Sequence, residues 1–260
     1  MNELSLFSGA GGGVLGSKIL GWRTIGYVEI NEKANANTAQ RIRDGIFDDA
    51  PIYTNIKTFI DSGRCELFKG ITDVVTGGFP CQDISVANSV NGIPAGIEGE
   101  RSGLWKDMAT VVGLVRPQYV LVENSPMLLA RGLGTVLRDL ASMGYHATWG
   151  VFRSSDFGFK HVRKRLWILA YTPSIGWNCL EEKQKIGCSF INKQNPQEPT
   201  FGSDHIPFYL DGVINNPMCG VLRNDYGLAE GMDRLRLIGN GQSPICMAYA
   251  FSKLSEGIIE

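Results

Sequence analysis

Residues 3–7 (Glu-Leu-Ser-Leu-Phe) read as a β-strand that leaves through Gly9-Ala-Gly-Gly-Gly13 into a helix reaching about Leu20. A strand that passes through glycines straight into a helix is a βα unit, and such units assemble into parallel sheets covered on both faces. The alternation then repeats. Thr24 to Ile30 reads as a strand and Asn31 to Arg43 as a polar-faced helix with an Asn cap. Ile52 to Ile56 and Ile71 to Val75 read as strands, and Arg101 to Val115 as a helix with apolar residues at 104, 105, 108, 111, 112 and 115. Tyr119-Val-Leu-Val122 is a continuous apolar run, the mark of a parallel strand buried on both sides. Leu133 to Met143 is a helix stopped by Gly144, and Tyr145 to Phe152 and Leu166 to Tyr171 are further strands. The expected fold class is α/β: a doubly wound, Rossmann-like sheet. From Thr172 to about Arg234 the periodicity degrades into Asn, Gln, Pro and Gly, which reads as a small irregular lobe. Leu235 to Gly241 reopens a motif, and Pro244 begins a last helix.

With 260 residues the chain has room for one large domain, or one domain and a small appendage. It holds no run of 18 apolar residues and no basic leader before the first strand, so no membrane span is expected and an intracellular place is. The six cysteines form no C-x-x-C pair and the three histidines are scattered, so no metal site is expected. Net charge is −1, but residues 101–171 carry 10 basic and 4 acidic side chains. That middle segment is a candidate phosphate-facing surface.

Two local patterns carry chemistry. Gly11-x-Gly13-x-x-Gly16 fits the dinucleotide pattern between strand and helix, and Glu29 at the end of the second strand is placed to take ribose hydroxyls. By themselves these residues leave NAD, FAD and S-adenosylmethionine open. The other pattern is Thr76-Gly-Gly-Phe-Pro-Cys-Gln-Asp-Ile-Ser85, where a proline fixes the backbone just before Cys81 at the carboxyl end of a strand. Such folds place reacting groups there, although a cysteine beside a turn is also a common packing residue.

Phe7-x-Gly-x-Gly-Gly resembles the first motif of the C5-cytosine DNA methyltransferases, and Gly78-Phe-Pro-Cys-Gln resembles that family's nucleophile motif. The likeness continues in order through Glu123-Asn124-Ser125, His161-Val-Arg-Lys-Arg165 and Gly239-Asn240, and Gly96 to Trp105 looks like the loop that follows the nucleophile. It covers about residues 4–171 and 232–255. Three positions depart from it: Ser125 stands for valine, His161 for glutamine, and Asn55 for the acid that usually precedes Ile56.

The resemblance implies a DNA (cytosine-5-)-methyltransferase using S-adenosylmethionine and releasing S-adenosylhomocysteine, without metal. It implies Cys81 as nucleophile, Glu123 as proton donor to the base, and Arg163 and Arg165 as basic partners. Phe7, Gly9, Ala10, Gly11, Glu29, Ile30, Asn55, Ile56, Pro80, Leu104 and Asn240 become candidate cofactor contacts. Gln82, Ser85, Arg163 and Arg165 become candidate DNA contacts. The base must leave the duplex to be reached, and Gly92, Pro94, Gly96 and Gly99 suit a loop that closes over it. The same resemblance divides the chain into a catalytic domain, 1–171 and 235–260, and a target-recognition region, 172–234, short enough to read only a brief or loose site. The last helix is expected to return to the large lobe. Expected partners are double-stranded DNA and a cognate restriction endonuclease, with the protein a monomer that is cytoplasmic or nucleoid-associated. An RNA cytosine methyltransferase and a catalytically inactive DNA-binding relative are the alternatives on this scaffold.

Overall fold

The computed structural model describes residues 1–80, 103–157, 163–173 and 241–256. Seven strands form one sheet: β1 (Asn2–Leu6), β2 (Arg23–Val28), β3 (Ile52–Tyr53), β4 (Val74–Gly77), β5 (Tyr119–Asn124), β6 (His146–Arg153) and β7 (Lys164–Tyr171). Their order is β3-β2-β1-β4-β5-β7-β6. The first five are parallel, whereas β7 runs antiparallel to both β5 and β6. The expected α/β class is observed, with an antiparallel end that hydrophobic pattern alone does not distinguish. At that end β6 and β7, consecutive in sequence, pair directly as antiparallel neighbours.

The helices among the described residues are α1 (Gly12–Ile19), α2 (Glu32–Arg43), α3 (Ile56–Asp61), α4 (Gly103–Val115), α5 (Leu128–Arg131), α6 (Leu133–Ser142) and α7 (Pro244–Glu256). One core joins α3, α4 and α6 to the sheet through residues such as Phe59, Trp105, Met108, Val136 and Leu140. On the other face, Met247, Ala250, Phe251 and Leu254 of α7 pack with Leu20, Trp22, Tyr119 and Trp167. The ring of Phe251 meets that of Trp22 edge-on at 4.6 Å. The chain's last helix therefore returns to the large lobe, as expected.

Several boundaries move for local reasons. The third strand is only two residues long, because Asn55 accepts from Lys57 and Thr58 N–H and starts α3. The fourth begins at Val74, since Ile71 is exposed and Thr72 is still tied to the Phe68 carbonyl of the preceding turn. The fifth runs two residues further than its apolar run, so Glu123 and Asn124 are strand residues. Asn31 caps α2 as expected, and Gly144 takes the left-handed φ of 84° after α6.

Glu3 lies in the core, its two carboxyl oxygens accepting from Thr24 at 2.7 Å and Thr76 at 2.6 Å. Burial raises its pKa above the ordinary value of 4.5, more than these hydrogen bonds lower it. The folded state thus favours the proton, so this contribution is full below about pH 4.5 and is lost as pH rises through the folded value. Glu3→Gln is expected to melt progressively higher than wild type as pH rises above that point. Parallel melting curves at every pH would contradict this.

Candidate active site

The carboxyl ends of β1, β2, β4 and β5 open on one edge of the sheet, where the strand order reverses between β1 and β4. Doubly wound folds place their ligands in this crevice. After β1 the backbone turns through left-handed φ at Phe7 (52°), Gly9 (54°) and Gly11 (86°). Glu29 closes the turn: its Oε2 accepts from Gly9 N at 2.7 Å and its Oε1 from Asn31 N at 2.8 Å. The polar face of α2 holds the same loops, with Asn35 Nδ2 donating to the Glu29 carbonyl and Asn37 Nδ2 to that of Ala10. Beside this carboxylate Ile30 is 70% exposed, an apolar surface at the mouth rather than a core residue. A Cβ on Gly9 would meet nothing closer than the Phe7 carbonyl at 3.9 Å, so the loop is open toward the crevice.

The other glycines serve the chain itself. A Cβ on Gly11 would strike the ring of Phe47, one on Gly12 the carbonyl oxygen of Gln242, one on Gly13 that residue's side-chain Oε1, and one on Gly16 Met247 and the Pro244 carbonyl. The dinucleotide-like spacing thus admits the C-terminal segment against the loop. Gly12→Ala is expected to lose about 1–3 kcal/mol, because a backbone oxygen yields less readily than a flexible side chain. An unchanged thermal melting temperature would refute that.

Of the remaining cofactor candidates, Ile56 is buried in the core, while Phe7 and Leu104 pack against it partly buried. Asn55 accepts from Lys57 and Thr58 N–H through its side-chain oxygen and so caps α3. Pro80 is exposed at the end of the described segment, and Ala10 is partly exposed. Cys81, Gln82, Ser85, His161, Asn240, the loop at 82–100 and the region 174–234 lie outside the described residues.

Glu123 and Arg165 meet directly, Nε to Oε1 at 2.7 Å, with the carboxylate side chain 8% exposed. Burial raises the Glu123 pKa, and Arg165 and then Arg163 lower it without cancelling that rise. Arg163 also reaches the C-terminal segment. Its Nη2 donates to the Gly241 carbonyl at 2.6 Å, clasping the stretch that leads to α7. Burial lowers its pKa, as does Arg165. The arrangement offers a carboxyl group biased toward its protonated, hydrogen-donating form at the end of a strand.

Sequence reasoning missed Asn124. Its side chain is buried and donates to the Phe79 carbonyl at 3.1 Å, while its oxygen accepts from Ser125 N. Phe79 is itself 2% exposed and lies against Trp105. The backbone two residues before Cys81 is thereby anchored to β5. Its signal was adjacency to Glu123. Ser125 accepts from Met127 N through its hydroxyl and so supports the turn into α5. Among the described residues no group of three or more His, Cys, Asp or Glu could hold a metal ion, and no helix is long and apolar enough to cross a membrane.

Comparison with known proteins bears on this geometry. A family model described as "C-5 cytosine-specific DNA methylase" matches residues 1–207. Type II methyltransferase M.CviJI of Paramecium bursaria Chlorella virus IL3A is 29% identical over 99% of this chain and 60% of its own length. Type II methyltransferase M2.BsuMI of Bacillus subtilis (strain 168) is 33% identical over 65% of this chain and 42% of its own. Type II methyltransferase M.Sau3AI of Staphylococcus aureus is 32% identical over 44% and 29%. The chain spans 60% or less of the length of these relatives. In fold, the crystal structure of S. pombe Dnmt2 methyltransferase superposes with a TM-score of 0.59 over 99% of both chains at 16% identity. That of Spodoptera frugiperda DNMT2 superposes with 0.52 over 68% of this chain and 51% of its own, at 19%.

Proposed function

Because this chain belongs to the C-5 cytosine-specific DNA methylase family, we propose that it transfers a methyl group from S-adenosylmethionine to C5 of cytosine in duplex DNA. The observation that carries the reading is the buried Glu123 paired with Arg165 on the edge of the sheet where Asn124 anchors the approach to Cys81.

C5 of cytosine is a weak nucleophile until a group adds at C6. In this reading the Cys81 thiolate forms the Sγ–C6 bond, and the ring's electron pair moves to C5. Negative charge would otherwise collect on the ring, and protonated Glu123 relieves it by donating to N3. Arg165 fixes the Glu123 carboxyl and presents its remaining N–H groups to the pyrimidine carbonyl. S-adenosylmethionine, when bound, supplies the methyl group and leaves as S-adenosylhomocysteine. Loss of the C5 proton to water then lets the Sγ–C6 bond break, returning the Cys81 thiolate, and N3 gives its proton back to Glu123. The residues present fit this co-substrate: Glu29 retains lone pairs for ribose hydroxyls, Ile30 offers an apolar face to a flat base, and the open Gly9 loop admits close approach. Asn240 completes this set of contacts in our reading, while Gln82 and Ser85 face the DNA.

The relatives' type II names support a place in DNA modification beside a cognate restriction endonuclease, with 172–234 reading the site. The reading is tested by incubating the protein with labelled S-adenosylmethionine and duplex DNA, with an RNA substrate as a separate arm, and by bisulfite sequencing of DNA from an expressing host. Protected cytosines in a fixed short context are expected. Binding of NAD without S-adenosylmethionine, or label in RNA alone, would overturn it.

A further inference from the structure

Gln242, two residues before α7, is inserted where three glycines leave room. Its carbonyl oxygen fills the place of a Gly12 Cβ, and its side-chain Oε1 that of a Gly13 Cβ. Its Nε2 lies 2.9 Å from the point where a Cβ on Gly78 would sit, and Glu123 Oε2 lies 2.7 Å from that same point. One side chain thus spans the loop after β1 and the loop after β4, and its amide nitrogen shares the space over Gly78 with the Glu123 carboxyl of β5. The segment is held in place from a fourth element, through Arg163 Nη2 on the Gly241 carbonyl. Glu123 Oε1 is taken by Arg165, which leaves Oε2 as the oxygen on the Gly78 side.

Resting on the reading above, we infer that Gln242 is a positioning residue for Glu123: its amide, wedged between Gly13 and Gly78, sets where Oε2 points. A carboxyl donates a proton usefully only in a narrow range of directions, and a side chain locked by packing holds that direction better than one facing open space. An alanine at Gly13 or Gly78 would occupy the space this amide uses. The segment before α7 therefore completes the site at Glu123, as α7 itself covers the sheet.

The charged groups facing Glu123 among the described residues are Arg165 and Arg163, both cationic. A carboxylate at position 242 would add the opposite influence. Gln242→Glu and Gln242→Leu separate position from packing. The Glu123 carboxyl is followed by ¹³C NMR titration, its signal assigned with Glu123→Gln, alongside methyl transfer and melting. In Gln242→Glu the Glu123 titration is expected to move upward by about one pH unit, from a like charge close by. In Gln242→Leu turnover is expected to fall about tenfold with the KM for S-adenosylmethionine within about threefold, the pattern of a lost orientation rather than lost binding. A Glu123 titration unmoved in Gln242→Glu, or wild-type turnover in Gln242→Leu, overturns the inference. Should Gln242→Leu fail to fold, the titration in Gln242→Glu decides. A wild-type protein without methyl transfer would refute the proposed function, while the titration would still decide the role of Gln242.

Discussion

Cys81→Ala is expected, under the proposed mechanism, to reduce methyl transfer to cytosine by about 10⁴-fold or more, since it removes the proposed nucleophile and leaves only binding and electrostatic assistance. C5 gains its nucleophilicity only when a bond forms at C6. Cys81→Ser is expected to fail as well, because a hydroxyl is far less ionised than a thiol at neutral pH. The anchors of the preceding backbone, Asn124 on Phe79 and Phe79 against Trp105, do not depend on residue 81, so melting temperature and S-adenosylmethionine affinity should stay near wild type. The measurement is single-turnover transfer of labelled methyl to duplex DNA, with denaturing gels to detect protein held covalently on the DNA. Retention of wild-type turnover in Cys81→Ala would end the covalent mechanism.

Glu123→Gln has the second largest expected effect, a loss of about 10²–10⁴ in turnover, the usual share of a positioned proton donor. The pH dependence makes the test specific. Burial raises the Glu123 pKa and the arginines only partly offset it, so the protonated form, the donor in the proposed mechanism, persists above the ordinary carboxyl range. Wild-type turnover is expected to decline as pH rises through that raised value, where the donor loses its proton. In Glu123→Gln that decline should be absent, because glutamine does not titrate. The variant also leaves the Arg165 guanidinium without its ionic partner, so a modest loss of stability is expected beside the catalytic one. A rate near wild type, or an unchanged alkaline limb, would remove Glu123 from the proton-donating role.

Glu-Asn directly after an apolar run and Arg-x-Arg before the next strand named Glu123, Arg163 and Arg165 in the sequence, and the structure brings these three together, while Cys81 lies outside the described residues. Asn55 shows where such reading stops: its side-chain oxygen caps α3, a helix that periodicity did not reveal. The short β3 and the late start of β4 have the same origin, since side-chain capping and a tight turn compete with strand pairing over two or three residues. The antiparallel end of the sheet was not legible either, because an apolar run looks the same in both directions.

By itself the sequence determined the α/β class and most of the order of the elements, because these depend on local periodicity. Only the tertiary structure decided what the glycines are for and which residues act together. Gly12 and Gly13 lie after β1 and Gly78 after β4, while Gln242 lies near the other end of the chain. Their relation is one of excluded volume, visible only once α7 has returned to the sheet. Likewise the raised proton affinity of Glu123 comes from burial opposed by two arginines brought from another part of the chain. Burial and charge separation are properties of distance in space, and the linear order of residues does not contain them.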